Sequence, residues 1–177
     1  MPGAGKSTAG RHLANALHLP FVDCDTEIER RIGMSIRAFF EQQGEPAFRD
    51  IEAQVVAELA SGSPKVLATG GGTVLREANR RALREGSTVV YLRAMPEELF
   101  RRLRHDKTRP LLQVADPLKR LRDLFRERDP LYAETAHFVI ETGRPSISNL
   151  VNMVLMQLEL AGVVDPQRNA PAPNPSP

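Results

Sequence analysis

The sequence predicts an α/β fold in which helices cover both faces of a parallel sheet, giving a three-layer α/β/α arrangement. Two observations support this class. Short β-branched or apolar runs alternate with longer stretches of helical periodicity along the chain. A glycine-rich loop also precedes the first helical stretch, and such loops normally connect a strand to its helix. Because ligands bind beyond the carboxyl ends of parallel strands, functional residues are expected at those ends.

The first element is the loop from Met1 to Thr8, which carries the pattern GxxxxGK[ST] without its leading glycine. In this pattern backbone N–H groups cradle a triphosphate, Lys6 reaches the outer phosphates and the Ser7 hydroxyl binds Mg²⁺. The remaining loop positions are Gly3, Ala4, Gly5 and Thr8. The alternative is an accidental glycine-rich turn. It is disfavoured because a helical pattern follows at once and adds its positive dipole end to the anion site.

No strand-like run precedes this loop, although the pattern normally follows a buried strand. We expect the natural start to lie upstream of Met1, with a start codon assigned too late. The alternative is a chain that lacks its first strand, which would leave a gap in the parallel sheet and unpaired backbone groups on the flanking strands.

Four later runs predict strands, and polar or glycine residues follow each of them. The runs are Phe21-Val22, Val66 to Ala68, Thr88 to Leu92 and Phe138 to Ile140. Asp23 and Asp25 come directly after the first run. Asp23 is the candidate for the Mg²⁺ shell, through a water molecule, and Asp25 for orienting an acceptor hydroxyl or taking its proton. The alternative for Asp25 is that it only caps a helix beginning at Thr26.

Two further segments suggest ligand contacts. Gly70-Gly71-Gly72 follows the second run and lets backbone N–H groups approach a ligand, although three glycines alone usually indicate a tight turn. The segment from Arg102 to Asp116 is basic, contains Pro110 and has few core-spaced apolar residues, which predicts a mobile flap. Arg109 is the candidate to stabilise charge on a transferred phosphoryl group when the flap closes; the alternative is an ordinary exposed arginine.

Composition limits the class of protein. With 177 residues and 41% apolar content, one domain over residues 1–164 is expected, followed by a disordered Pro-rich tail over residues 165–177. The net charge is only +2 and the arginines are distributed, so neither nucleic acid nor a membrane is an expected partner. The apolar stretch from Leu150 to Val164 is too short and polar to span a bilayer and predicts a closing helix.

The chain has a single cysteine, Cys24, which excludes an internal disulfide framework and fits a reducing cytoplasm. Its expected role is that of a small buried apolar residue. The four histidines show no spacing suited to a metal.

Six motifs in order resemble those of shikimate kinases, over Met1 to about Leu160. They are Gly3-Ala4-Gly5-Lys6-Ser7-Thr8, Asp23-Cys24-Asp25, Phe48-Arg49-Asp50-Ile51-Glu52, Gly70-Gly71-Gly72, Arg109-Pro110-Leu111-Leu112 and Arg128-Asp129-Pro130-Leu131-Tyr132. The loop alone would indicate only a large superfamily, whereas all six together are specific.

The resemblance implies ATP-dependent phosphorylation of the 3-hydroxyl of shikimate, on the route to chorismate. It implies that Asp25 contacts the acceptor hydroxyls and that Arg49 and Arg128 clamp the shikimate carboxylate. Arginine suits this role because its planar fork makes two parallel hydrogen bonds to a carboxylate. The same resemblance assigns further residues to the pocket, namely Gly71, Gly72, Phe40 and Phe48.

On the nucleotide side, the resemblance implies that Lys6 and Ser7 hold phosphates and Mg²⁺, that Arg109 is the flap arginine and that Arg102 lies near the adenine. It also implies a monomer with a five-stranded parallel sheet in the order 2-3-1-4-5, whose first strand is absent from the sequence. A loop without that anchor is expected to work poorly, since a shift of about 1 Å costs about 10²-fold in rate.

Two alternatives stay open from the sequence. One is a ligand-sensing regulatory domain of kinase ancestry; no helix-turn-helix precedes the loop, and both the acceptor and the phosphate residues are present, which favours catalysis. The other is a related small-metabolite kinase, such as one for gluconate, which would not be expected to carry both arginine motifs.

Overall fold

The computed structural model describes residues 1, 3–103, 113–143 and 146–165. Within these residues the chain forms the following helices and strands, in chain order: α1 (Lys6–Leu17), β1 (Phe21–Asp23), α2 (Cys24–Ile32), α3 (Ile36–Ser61), β2 (Val66–Ala68), α4 (Glu77–Gly86), β3 (Val90–Arg93), α5 (Pro96–Leu103), α6 (Pro117–Thr135), β4 (Phe138–Glu141) and α7 (Ile147–Leu160). A short 3₁₀ turn, Thr73–Leu75, precedes α4.

The strands form two parallel pairs, β1 with β2 and β3 with β4. Asp23 at the end of β1 is level with Ala68 at the end of β2, and Arg93 is level with Glu141. All four predicted strands are therefore present. The third begins at Val90 rather than Thr88, and the Val89 carbonyl before it accepts hydrogen bonds from the N–H groups of His137 and Phe138.

A cavity of about 420 Å³ lies between the two pairs and is lined mainly by apolar side chains, including Val66, Leu67, Val90 and Leu92. Within the residues described, β2 and β3 are not hydrogen-bonded to each other. The two pairs match the two ends of the implied order 2-3-1-4-5, with the cavity between them.

Helices cover both faces of the strands, as predicted. The alternation along β3 separates the two layers, since successive side chains of a strand point to opposite faces. Val90 and Leu92 pack in a core cluster with α1 and α7. Tyr91 packs instead in a cluster with α5 and α6. On β2, Leu67 packs with α3 and α4.

Short polar side chains cap the N-termini of α2, α3, α6 and α7. Ser35, Asp116 and Ser146 each accept a hydrogen bond from a backbone N–H in the first turn of α3, α6 and α7. The cap of α2 is Asp23, which accepts from the N–H groups of Asp25 and Thr26. The alternative that Asp25 caps a helix beginning at Thr26 is therefore wrong.

Helix α3 is interrupted at Gly44, whose φ of 79° and ψ of 170° are not helical. Only glycine adopts this conformation readily. Pro46 follows at the start of the second segment, where a missing backbone donor is tolerated. The break redirects the chain so that the second segment packs its apolar side, including Phe48 and Val55, against Ile28 of α2.

Parts of three predictions lie outside the described residues, namely Arg109, most of the proposed flap and the tail from residue 166. At the flap boundaries, Arg102 and Leu103 are the last residues of α5, and Asp116 caps α6. Cys24 is buried, as predicted, at 1% exposure. Among the described helices, none has the length and apolarity needed to cross a bilayer.

Leu121 and Leu160 allow a test of where the core lies. Leu121→Ala should lower the free energy of unfolding by about 2–5 kcal/mol, because Leu121 is fully buried in the cluster with Leu99 and Leu124. Leu160→Ala, at a residue that is 78% exposed, should change it by less than about 0.5 kcal/mol. Urea denaturation followed by circular dichroism measures both, and equal effects would contradict this assignment of the core.

Candidate active site

The phosphate loop ends on Gly5, which is the N-cap of α1 and has a φ of 82°. This left-handed conformation is unfavourable for residues with a Cβ. Gly5 has no side chain to cap the helix, so the first backbone N–H groups of α1 are available to an anion. The Lys6 ammonium is held over the loop by a hydrogen bond of 2.8 Å to the Met1 carbonyl.

A cavity of about 450 Å³ lies beside the loop and is lined by Gly3 to Gly5, by α5 and by the segment after β4. The Arg102 guanidinium donates hydrogen bonds to the carbonyls of Thr142 and Gly143 at its wall. This volume lies within the range of small-molecule sites, about 300–1,000 Å³. Arg102 therefore lies at the wall of a cavity that adjoins the phosphate loop.

Ser7 and Asp23 bring two oxygen ligands together at the end of β1. The Ser7 hydroxyl donates to Asp23 Oδ2 at 2.9 Å. The other carboxylate oxygen, Oδ1, accepts from the backbone of Asp25 at 3.0 Å and so fixes the side chain. A hydroxyl and a carboxylate are ligands that suit Mg²⁺. Among the residues described, no group of three acidic, histidine or cysteine side chains could hold a metal ion.

Asp25 lies deeper, beside the glycine turn. Burial raises the pKa of its carboxyl group above the usual 3.8, and the charges of Asp23 and Glu52 raise it further, while Lys6 opposes them. A Cβ atom at Gly70 would lie 2.8 Å from Asp25 Oδ1. The carboxylate can approach the turn this closely only because residue 70 is glycine.

Arg49 reaches the same turn from α3. Its guanidinium donates to the buried Glu52 at 2.8 Å and to the exposed Glu45 at 3.0 Å. Glu52 in turn accepts from the Thr73 hydroxyl at 3.0 Å, directly after the turn. A Cβ at Gly72 would collide with the Arg49 guanidinium. Glycine at this position therefore leaves the space that the guanidinium occupies.

Arg128 adjoins the turn from α6, through Tyr132. The Tyr132 hydroxyl donates to the Gly71 carbonyl at 2.5 Å. Burial raises the pKa of Tyr132, while the nearby charge of Arg128 opposes this rise. The Arg128 side chain is 17% exposed. Asp25, Arg49 and Tyr132 thus contact the three consecutive glycines from three different helices, and Arg128 lies one turn before Tyr132 on α6.

The two phenylalanines predicted to line the pocket stack on each other with ring centroids 4.7 Å apart. Phe48 is buried at 4% exposure in the cluster with Ile28, and Phe40 is partly buried at its edge. Arg49 lies over the Phe48 ring at 5.2 Å from its centroid. Phe48 therefore supports Arg49 from behind.

Sequence reasoning missed two residues that hold the site together, Glu52 and Tyr132. Each lies one helical turn beyond a predicted arginine, at i+3 from Arg49 and i+4 from Arg128. Residues at these spacings share one helix face. The signal was present in the motifs, but it needs the helix assignment before it can be interpreted.

The chain is similar to shikimate kinases over nearly its whole length. The family described as Shikimate kinase matches residues 2–159. A shikimate kinase of Paracidovorax citrulli is 61% identical over 94% of this chain and 92% of its own length. One of Ralstonia nicotianae is 58% identical over 93% of this chain and 86% of its own length.

Solved structures agree with these relatives. A shikimate kinase from Acinetobacter baumannii, in complex with shikimate, superposes with a TM-score of 0.84 at 47% identity and covers 92% of this chain and 90% of that one. A shikimate kinase from Aquifex aeolicus superposes with a TM-score of 0.79 at 33% identity, over 92% of this chain and 95% of that one. The phosphate loop, the glycine turn and the match over nearly the whole length together establish that this chain belongs to the shikimate kinase family.

Proposed function

We propose that this chain transfers the γ-phosphoryl group of ATP to the 3-hydroxyl of shikimate, giving shikimate 3-phosphate and ADP. Membership of the family supports this activity. The observation that carries it is the approach of Asp25 and Arg49 to Gly70–Gly72, with Arg128 beside them on the helix that Tyr132 joins to the Gly71 carbonyl. Two arginines and one carboxylate around a turn suit an acceptor that carries both a carboxylate and hydroxyl groups.

Arg49 and Arg128 bind the carboxylate of the acceptor. A guanidinium matches a carboxylate with two parallel, charge-assisted hydrogen bonds, and two of them fix the orientation of a small ring. Glu52 supports this role because it is buried and fixes the Arg49 guanidinium through an ion pair of 2.8 Å. Gly71 and Gly72 leave room for the ring, and Phe48 and Phe40 support the wall behind Arg49.

Asp25 orients the attacking hydroxyl and accepts its proton during transfer. Its raised pKa makes it a better base than an ordinary aspartate. Catalysis then depends mainly on positioning and on charge stabilisation around the transferred group. Lys6 and the N–H groups of the loop supply positive charge opposite Asp25.

Ser7 and Asp23 would hold Mg²⁺, since their oxygens are 2.9 Å apart at the end of the loop. When bound, the ion neutralises charge on the phosphates. On the nucleotide side, Gly3, Ala4, Gly5 and Thr8 form the cradle, and Arg102 lies near the adenine. Arg109, which is outside the described residues, completes the proposal as the arginine of a closing flap over about residues 102–116.

We further propose that the protein works as a monomer in the cytoplasm. The single cysteine of the sequence supports a reducing compartment, because it leaves no internal disulfide to form. Burial and nearby carboxylates raise the pKa of the Cys24 thiol to about 12 and leave it unreactive. Light scattering at the concentration of the kinetic assay tests the oligomeric state.

Arg49→Ala and Arg128→Ala test the acceptor site. Each should lower kcat/KM for shikimate about 10–150-fold, because a hydrogen bond to a charged group contributes about 1.5–3 kcal/mol. KM for ATP should change less than twofold. A coupled assay of ADP release, with each substrate varied in turn, measures these values.

Arg37→Ala is the matched control, since Arg37 lies on the same helix as Arg49 and forms an exposed i,i+4 ion pair with Glu41. It should leave both constants unchanged. Equal activity with quinate or gluconate in place of shikimate would contradict the substrate assignment.

Asp25→Asn separates activity from stability. It should lower kcat about 10²–10⁴-fold through loss of the base. The raised pKa means that the folded state favours the protonated form, so the stabilisation present below pH 3.8 is lost as the pH rises through the folded pKa. At pH 7 the neutral amide should therefore raise Tm, by about 2–4 °C for each kcal/mol gained. A fall in Tm at pH 7 would contradict the raised pKa.

Glu45→Gln tests competition within the site. Glu45 occupies both Nε and one terminal nitrogen of Arg49, the pair of donors that a substrate carboxylate needs. An exposed pair contributes about 0.2–1 kcal/mol, so its removal should lower KM for shikimate by about 1.4- to 5-fold. Glu41→Gln breaks the equivalent pair with Arg37 and should not change KM. A raised KM in Glu45→Gln would mean that Glu45 orients Arg49 instead.

A further inference from the structure

We propose that Asp129 and Tyr132 are positioning residues that set the place of Arg128, by fixing α6 to β3 and to the Gly70–Gly72 turn. The inference rests on the proposed function, in which Arg128 binds the acceptor carboxylate. It concerns how one of the two carboxylate-binding arginines reaches its working position.

The Arg128 side chain makes few interactions that would fix its position, among the residues described. Within the residues described, its Nε atom is buried and has no hydrogen-bond partner. The nearby Glu127 carboxylate lies 3.9 Å from this atom, which is beyond hydrogen-bonding distance, and is 55% exposed. The position of the guanidinium therefore depends on where α6 lies and on the contact with Tyr132.

Asp129 ties α6 to the strand layer. One of its carboxylate oxygens accepts from the Tyr91 hydroxyl and from Arg93 Nε, each at 2.9 Å. The other accepts from a terminal nitrogen of Arg93 at 2.7 Å. This is a bidentate arginine pair with a tyrosine added, and its planar geometry fixes orientation as well as distance. Arg93 also reaches Glu141, so the tie spans β3 and β4.

Tyr132 ties the same helix to the glycine turn, through its hydrogen bond to the Gly71 carbonyl. Its ring packs on Tyr91 with centroids 4.9 Å apart, so the two ties also touch each other. Tyr91 and Tyr132 are both buried, at 6% and 8% exposure. Contacts in such surroundings hold a single geometry better than contacts at an exposed surface.

Pro130 lies between the two ties and inside α6. Proline has no backbone N–H, so the helix lacks one of its own hydrogen bonds there. The backbone alone then fixes this turn of the helix less firmly, and the side-chain ties carry a larger share of the positioning. The contacts of Asp129 and Tyr132 therefore hold α6 on both sides of Pro130, next to Arg128.

Tyr132→Phe and Asp129→Asn test the proposal, with Asp123→Asn as a matched control. Tyr132→Phe removes one hydroxyl and keeps the ring. Asp123 lies on the same helix, but its ion pairs with Lys119 and Arg126 stay within α6. Calorimetric titration with shikimate should give a Kd raised about fivefold or more in both test variants and unchanged in the control, because small misplacements of binding groups are costly. The Kd for a non-hydrolysable ATP analogue should change less than twofold.

The same two substitutions made in an Arg128→Lys background separate positioning from general stability. The lysine ammonium is flexible and, unlike a guanidinium, does not need to lie in one plane with the carboxylate. In this background Tyr132→Phe and Asp129→Asn should therefore change the shikimate Kd less than twofold. A loss equal to that in the unsubstituted background would overturn the proposal. Circular dichroism identifies a variant that does not fold, in which case the other variant decides.

Two results distinguish a failure of this inference from a failure of the proposed function. If the unsubstituted protein binds shikimate and both test variants bind it equally well, only the positioning role is overturned. If the unsubstituted protein binds no shikimate, the proposed function and this inference fall together.

Discussion

The acceptor side of the site depends on how closely three side chains approach the Gly70–Gly72 turn. Asp25 comes up against Gly70, the Arg49 guanidinium against Gly72, and Tyr132 holds the Gly71 carbonyl. A Cβ at the first or third of these positions would occupy the space of a charged group. The turn therefore sets the distances between groups that come from α2, α3 and α6, and it does so through its lack of side chains.

The charged groups around the turn differ in their electrostatic surroundings. The pKa of Asp25 is raised because its carboxyl group is buried and faces other carboxylates, so its charged form is disfavoured. Arg49 is already compensated by Glu52 within the protein, so its charge can be buried without leaving it unpaired. The phosphate loop provides positive potential from backbone dipoles. The Lys6 charge acts on Asp25 and partly offsets the rise of its pKa, so positive and negative groups lie near each other at this end of the strands.

The sequence predicted the local features well because they depend on short-range chemistry. Residues with β-branched and apolar side chains marked all four strands, and the loop pattern marked the start of α1. At α2 only the alternative for Asp25 was wrong, because Asp23 rather than Asp25 is the cap. Both residues are good caps, and only the backbone conformation decides which side chain faces the N–H groups of the first turn.

By itself, the sequence determined the fold class, the phosphate loop and the family resemblance, since these depend on periodicity and on the order of motifs. Only the tertiary structure decided which charged residues belong together. Among many arginines, Arg49 is distinguished by its ion pair with the buried Glu52, and Arg128 by its position beside Tyr132. Asp129 pairs with Arg93, which lies 36 positions earlier in the chain. Such pairings follow from how helices pack on strands, because contacts between residues distant in the chain leave no periodic signal in it.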